Sequence, residues 1–262
     1  MRIRSGCLCG RSIEVLEILL TLARPEDVVA TGAAVNSTTY RLENIALHCG
    51  MCLLDSQLQN TFAQNLLSGD QSLMIHTKQF YTSEQFLSGG ADGSWETSLS
   101  KPISKMGTLF VNCVADLTDA EEQGGSLNFN TFTMFDAAKE SIEMQLQVGG
   151  KRFPEEPCKG AIQAYFTMLE AIGVRSSLAH SIGVSFTEYT SSGFTFAFDT
   201  EAVSNVMASG LNTQGGQEIR VETRGMTNGV AGAGNKIPKR AYMHLHYDSI
   251  IHIRANSVFV ES

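Results

Sequence analysis

Three of the six histidines, His244, His246 and His252, share alternate positions of the segment Arg240–Arg254 with Asp248. Side chains two residues apart lie on the same face of a strand. A His-x-His pair on a strand therefore sets two imidazoles side by side, a geometry able to hold a metal ion. The glutamate that cupin spacing would add to such a site is missing, and position 250 is isoleucine. No second strand offers a histidine to converge on the pair. The expectation is a solvated polar face, with His244, His246 and His252 as the only weak metal candidates and no catalytic residue or cofactor.

Other chemistry-bearing residues resolve in the same way. Cys7, Cys9, Cys49 and Cys52 would supply four thiolates for zinc. Cys49 and Cys52, however, lie in an alternating pattern that points them to opposite faces, so buried free thiols are expected. The run Gly229–Lys236 is rich in glycine, but its lysine is not adjacent to the last glycine and Ile237-Pro238 follows where a helix should start. It reads as a hairpin loop. A Gly-x-Ser-x-Gly elbow is absent. Nothing in the sequence pairs His180 with Cys158 as a nucleophilic dyad.

These side chains need elements to carry them. Along Arg240–Arg254, Ala241, Met243, Leu245, Tyr247, Ser249, Ile251 and Ile253 alternate with Tyr242, His244, His246, Asp248, Ile250 and His252. That period predicts one long strand with a buried and a wet face. Alternation also predicts strands at about 45–53, 72–81, 106–115 and 141–148, with Gly149-Gly150 as a tight turn. Phe194, Phe196 and Phe198 share one face of a further strand; Ile219, Val221 and Thr223 oppose Glu218, Arg220 and Glu222 on another. Two short helices interrupt the strands. Leu58, Phe62 and Leu66 form the stripe of the first, with Asp55-Ser56 as cap candidates and Gly69 as its stop. Ile162, Tyr165, Phe166, Leu169 and Ile172 form the stripe of the second, closed by Gly173. Ile13–Leu22 fits a helix or a strand equally.

The chain has 262 residues, 43% of them hydrophobic and 18% charged. That composition belongs to a globular chain able to bury a full core. Its net charge of −8 argues against direct nucleic-acid binding, which needs clustered Lys and Arg. No apolar run is long enough to span a bilayer, and the first residues lack the apolar stretch of a signal peptide. Six cysteines without a secretory signal read as free thiols in a reducing compartment. Strands do not alternate regularly with helices, so a parallel α/β fold is disfavoured. The fold class predicted is all-β: an antiparallel jelly-roll sandwich with two short helices. Residues 1–39 form an uncertain N-terminal segment, and residues 40–262 form the jelly-roll domain. The core should contain Leu47, Leu109, Met144, Leu146, Phe196, Phe198, Val221, Leu245 and Ile251.

Several segments carry a resemblance in their order along the chain. They are Leu54–Gly69, then Val148-Gly-Gly-Lys-Arg-Phe-Pro154 leading into the helix of Ala161–Gly173, then Phe198-Asp-Thr, then Ser209–Gly216, and finally Leu245–Arg254. Together, over roughly residues 40–262, they resemble the C-terminal part of double-jelly-roll major capsid proteins. Those proteins belong to eukaryotic double-stranded DNA viruses of the virophage and Maverick/Polinton type, and persist as relics in host genomes. Members of that family are longer than this chain, which therefore reads as a C-terminal fragment or a single-roll relative. The resemblance implies a structural protein of the virion, assembled inside the host cell, and not an enzyme. Self-association into trimeric capsomers of an icosahedral shell is implied as well. The Gly-rich loops 88–94 and 225–236 are the candidate contacts. Two other classes remain open on the residues alone: a lectin-like β-sandwich binding module, and a cupin-type metalloenzyme using the His244–His252 face.

Overall fold

The computed structural model describes residues 2–5, 16–22, 41–46, 48, 53–67, 72–88, 93–114, 142–174, 183–191, 194–201, 210–226, 238, 240–254 and 257–261. The strands are β1 (Arg2–Ser5), β2 (Leu16–Leu19), β3 (Leu73–Phe86), β4 (Trp95–Leu99), β5 (Met106–Val114), β6 (Glu143–Val148), β7 (Lys151–Lys159), β8 (Phe196–Asp199), β9 (Ile219–Arg224), β10 (Arg240–Arg254) and β11 (Ser257–Glu261). The helices are α1 (Ser56–Leu67), α2 (Gly160–Ala171) and α3 (Phe186–Ser191). The chain divides into two compact units, one of Met1–Thr77 with Ser249–Glu261 and a larger one of Lys78–Asp248.

The larger unit holds two sheets, β3–β10–β5–β8 and β4–β9–β6–β7. Counted from β3 to β10, the first strand lies beside the eighth and the third beside the sixth in one sheet. In the other, the second lies beside the seventh and the fourth beside the fifth. That order is the double Greek key of an eight-stranded jelly roll. Pairing is antiparallel at β10–β5, β5–β8, β4–β9, β9–β6 and β6–β7. The fold is therefore an all-β antiparallel sandwich, and among the described residues there is one such roll.

One apolar core joins the inner faces of both sheets. Leu109 and Val111 of β5, Phe196 and Phe198 of β8, and Met243 and Leu245 of β10 meet Met144 and Leu146 of β6 and Ile219 and Val221 of β9. Each such side chain contributes about 1.5–3 kcal/mol when fully buried. Trp95 and Thr213 carry polar groups into the core with partners. The Trp95 indole N–H donates to Met226 Sδ at 3.3 Å. Buried Thr213 accepts from the Ile103 amide at 3.0 Å and donates to the Lys101 carbonyl at 2.7 Å. At Gly149, φ is 59°, a left-handed conformation that suits glycine and lets the β6–β7 chain reverse in a tight turn.

Helix α2 ends as the position of Gly173 predicts. Gly173 has φ 77°, and its amide donates to the Glu170 carbonyl at 2.9 Å. The Val174 amide donates to the Leu169 carbonyl at 3.0 Å, completing a Schellman motif. Helix α3 opens with a capping box. Ser185 Oγ accepts from the Glu188 amide, while Glu188 Oε2 accepts from the Ser185 amide at 2.8 Å. A ladder of rings then ties both helices to the sheet: Tyr165 to Tyr189, Tyr189 to Phe194, and Phe194 to Phe196, with centroids 5.1, 5.0 and 4.7 Å apart. Buried Tyr189 keeps its hydroxyl satisfied by donating to the Thr195 carbonyl at 2.9 Å.

The smaller unit contains the β1–β2 ribbon, helix α1, the start of β3 and the end of β10 paired with β11. The Gln59 amide donates to the Asp55 carbonyl at 2.9 Å, which starts α1 where the cap candidates placed it. Of the ambiguous segment Ile13–Leu22, Leu16–Leu19 is strand.

Most of the sequence-derived core holds: Leu109, Met144, Leu146, Phe196, Phe198, Val221 and Leu245 are all buried. Three expectations need correction. Ile251 is only half-buried, whereas Ile253 near the end of β10 is buried. Ile45, Ala46, His48 and Leu53 are not in a strand, and Ile45 and Leu53 are 74% and 97% exposed. Leu47 and Cys49 lie outside the described residues. Finally, the buried face of α2 is Ala161, Ala164 and Met168. Phe166 is 48% exposed, and Tyr165 and Leu169 are partly buried against the core. The small alanines let the helix backbone approach closely, so the bulky stripe turns toward its flank. The fold thus predicts that Phe196→Ala costs about 3–5 kcal/mol in denaturant unfolding, whereas Phe166→Ala costs about 1 kcal/mol or less. Equal losses would contradict this seating of α2.

Candidate functional site

The outer face of the β3–β10–β5 layer carries the chemistry that the histidine spacing anticipates. Because β10 alternates from Arg240 to Ile250, its odd residues Ala241, Met243, Leu245 and Tyr247 join the core and its even residues Tyr242, His244 and His246 point outward beside β3. His244 Nδ1 lies 2.9 Å from Thr82 Oγ1. The His246 ring stands edge-on to Phe80, 4.2 Å between centroids, and 5.1 Å from Phe110. Further along, Glu84 Oε1 accepts from Arg240 at 3.0 Å and from the Tyr242 hydroxyl at 3.2 Å. The Arg240 guanidinium also lies over the Phe86 ring at 5.2 Å. Even residues of β10 are half-buried rather than fully wet, a second correction to that strand.

Burial holds the His244 imidazole below its ordinary pKa. Burial does the same to His246, reinforced by the neighbouring His244 and Lys78 charges. Both are therefore neutral near pH 7. His252 belongs to the smaller unit. There its Nδ1 lies 3.3 Å from Ser72 Oγ, its Nε2 lies 3.1 Å from Glu261, and its ring stacks on Phe259 at 4.5 Å. Each of the three histidines thus has its own local partners. Among the described residues, no group of three His, Cys, Asp or Glu is placed to hold a metal ion. Cys113 and Cys158 are buried free thiols, and burial raises the pKa of both, opposing thiolate formation. Cys7, Cys9, Cys49, Cys52, His180 and the run Gly229–Lys236 lie outside the described residues.

Sequence reading missed one feature, a cleft of about 150 Å³ beside His246. Lys78, Glu170, Asp199, Glu201 and Asp248 line it with His246. Burial raises the Asp199 pKa; the Glu201 amide, which donates to Asp199 Oδ1 at 2.9 Å, lowers it, and nearby Glu170 raises it. Lys78, Glu170 and Asp199 come from elements other than β10, so local spacing along that strand shows only Asp248 beside His246. The candidate contact loops are described only at their ends, and those ends touch. The Met226 amide donates to the Gly93 carbonyl at 3.2 Å. Gly93 has φ 71°, and a Cβ there would fall 2.6 Å from the Met226 backbone. Large apolar side chains also remain in the open. On β3, Phe80 and Phe86 are 67% and 78% exposed, and on α2 Ile162 is 64% exposed. Exposure of that kind marks contact surfaces when it is clustered.

No protein-family model matches the chain, and no curated protein sequence does. Solved structures with a similar fold include viral capsid proteins. The PBCV-1 virus capsid is similar over 80% of this chain and 55% of that chain, at 12% identity and TM-score 0.46. The Sputnik virophage structure is similar over 72% and 39%, at 8% identity and TM-score 0.41. The major capsid protein of bacteriophage PM2 is similar over 68% and 45%, at 11% identity and TM-score 0.35. This chain spans about half or less of each of those chains. Likeness at this level carries no argument about function.

The neutral histidines make a testable statement about acid. Their folded pKa values lie below the unfolded value of about 6.5. Their contribution to stability is therefore present above about pH 6.5 and lost as pH falls through the folded values. The thermal midpoint should drop over that window, and a His244→Gln, His246→Gln double variant should show a flatter profile. Identical profiles would mean that the two rings are not held neutral by the fold.

Proposed function

We propose that this chain is a structural protein of a viral capsid, building trimeric capsomers of an icosahedral shell in the virion. The observation that carries the reading is the strand order, an eight-stranded double Greek key with β10 beside both β3 and β5. Segments that resemble double-jelly-roll capsid proteins fall on this framework: the β6–β7 turn, helix α2, the end of β8 and strand β10. Capsid subunits work by contact, and the exposed Phe80, Phe86, Ile162 and Phe166 offer apolar surface for it. A threefold ring joins two different surfaces of each copy, which two separate apolar regions can supply. The net charge of −8 disfavours direct contact with packaged nucleic acid, whose phosphates repel it. The proposed role is assembly without catalysis or a cofactor.

Size-exclusion chromatography with mass measurement on the purified chain tests this reading. The expected result is a trimer that strengthens with concentration and needs no added metal. A strictly monomeric species at high concentration would favour a binding module. Stoichiometric zinc or iron bound through His244 and His246 would favour the metalloenzyme.

A further inference from the structure

Antiparallel sheets leave edges, and an unprotected edge invites another strand. The edges of this chain differ in how they are guarded. Strand β7 carries Pro154 and Pro157, which lack the amide donor, together with Lys151, Arg152 and Lys159. Strand β8 is only four residues long. Strand β3 sets Lys78 and Glu84 along its outward row. Strand β11, Ser257-Val-Phe-Val-Glu261, carries no proline and no basic residue, and its one charge is Glu261 at its end. It pairs with β10 in unbroken register from Arg254↔Ser257 to Ile250↔Glu261. Among the described residues it has no second strand partner. Val258, Phe259 and Val260 are 41%, 41% and 48% exposed, and all three favour extended backbone.

We infer that β11 pairs with β11 of a second copy, antiparallel, about a two-fold axis at Phe259. The sequence of the strand selects this occupant because it is self-complementary. Centring on Phe259 sets Phe259 opposite Phe259, Val258 opposite Val260, and Ser257 opposite Glu261. It is the only two-fold register that pairs all five residues. It also separates the two Glu261 carboxylates by four residues, about 13 Å along the strand, beyond a screening length of about 8 Å. A register centred on Glu261 would instead oppose like charges in a protein that already carries −8. The Phe259 ring is held in place for such a pairing, stacked on His252 with Arg254 5.2 Å from its centroid. The cross-strand Phe pair then extends an aromatic layer already begun by β10. Such a contact is isologous and joins copies in pairs, so it stands apart from the threefold assembly proposed above.

Site-directed crosslinking of the full chain distinguishes the two. Directly opposed residues of an antiparallel pair have Cα atoms about 4.5–5.5 Å apart, within reach of a disulfide. Under mild oxidation, F259C should form covalent dimers several-fold above the wild-type chain, which controls for the native cysteines. V258C and V260C should crosslink poorly alone and strongly when mixed, because each faces the other across the axis. The mixed pair leaves the Phe259 packing intact, so it reports even if F259C folds badly. Wild-type levels of dimer in both F259C and the mixture would overturn the inference. So would V258C alone crosslinking as readily as the mixture. Trimer formation through another surface changes none of these outcomes.

Discussion

The two-residue alternation of β10 from Arg240 to Ile250 is the constraint on which the rest depends. Its odd residues Ala241, Met243, Leu245 and Tyr247 close one side of the core, and its even residues build the histidine-bearing outer face. A slip of one residue would push His244 and His246 into the core and turn Met243 and Leu245 to water. Burial of the odd row therefore fixes the chemistry of the even row. The same strand pairs with β3, β5 and β11, so its register is transmitted to three neighbours. At His246/Tyr247 the β5 pairing shifts; such irregularities re-aim side chains, and the polar cleft is lined by those two residues.

The helices show how packing reorders a pattern that sequence states correctly. Helix α2 ends where its glycine signal lies, yet it seats on alanines. Its larger residues divide their tasks. Tyr165 donates its hydroxyl to the Val184 carbonyl at 2.9 Å and joins the ring ladder. Phe166 and Ile162 remain exposed. The helix thereby covers one end of the aromatic core while presenting apolar surface outward.

Edge protection tells a parallel story. Prolines and basic residues guard β7, whereas β11 is short, apolar and regular. Differences of this kind are costly to ignore in a β protein, since an open edge either finds a specific partner or aggregates. The Phe259 ring of β11 stacks on His252 of β10, with Arg254 beside it.

Period, composition and turn residues by themselves determined the fold class, the long strand at 240–254, the Gly149-Gly150 reversal and the Gly173 helix stop. Each is a local property, set by which face a side chain takes or which φ a residue tolerates. Seven core residues followed from the same alternation. The segment at 45–53 shows the limit: its alternation is as clear as that of β10, but Ile45 and Leu53 are exposed, because burial needs a partner that sequence does not name. Tertiary structure alone decided which face of α2 is buried, since that depends on how closely a backbone can approach β8. It alone gathered Lys78, Glu170, Asp199 and Glu201 beside His246, because residues far apart in sequence meet only when the strands wrap. The histidines were visible from the start; their separate partners, Thr82, Phe80 with Phe110, and Ser72 with Glu261, were fixed by cross-strand neighbours that no single strand contains.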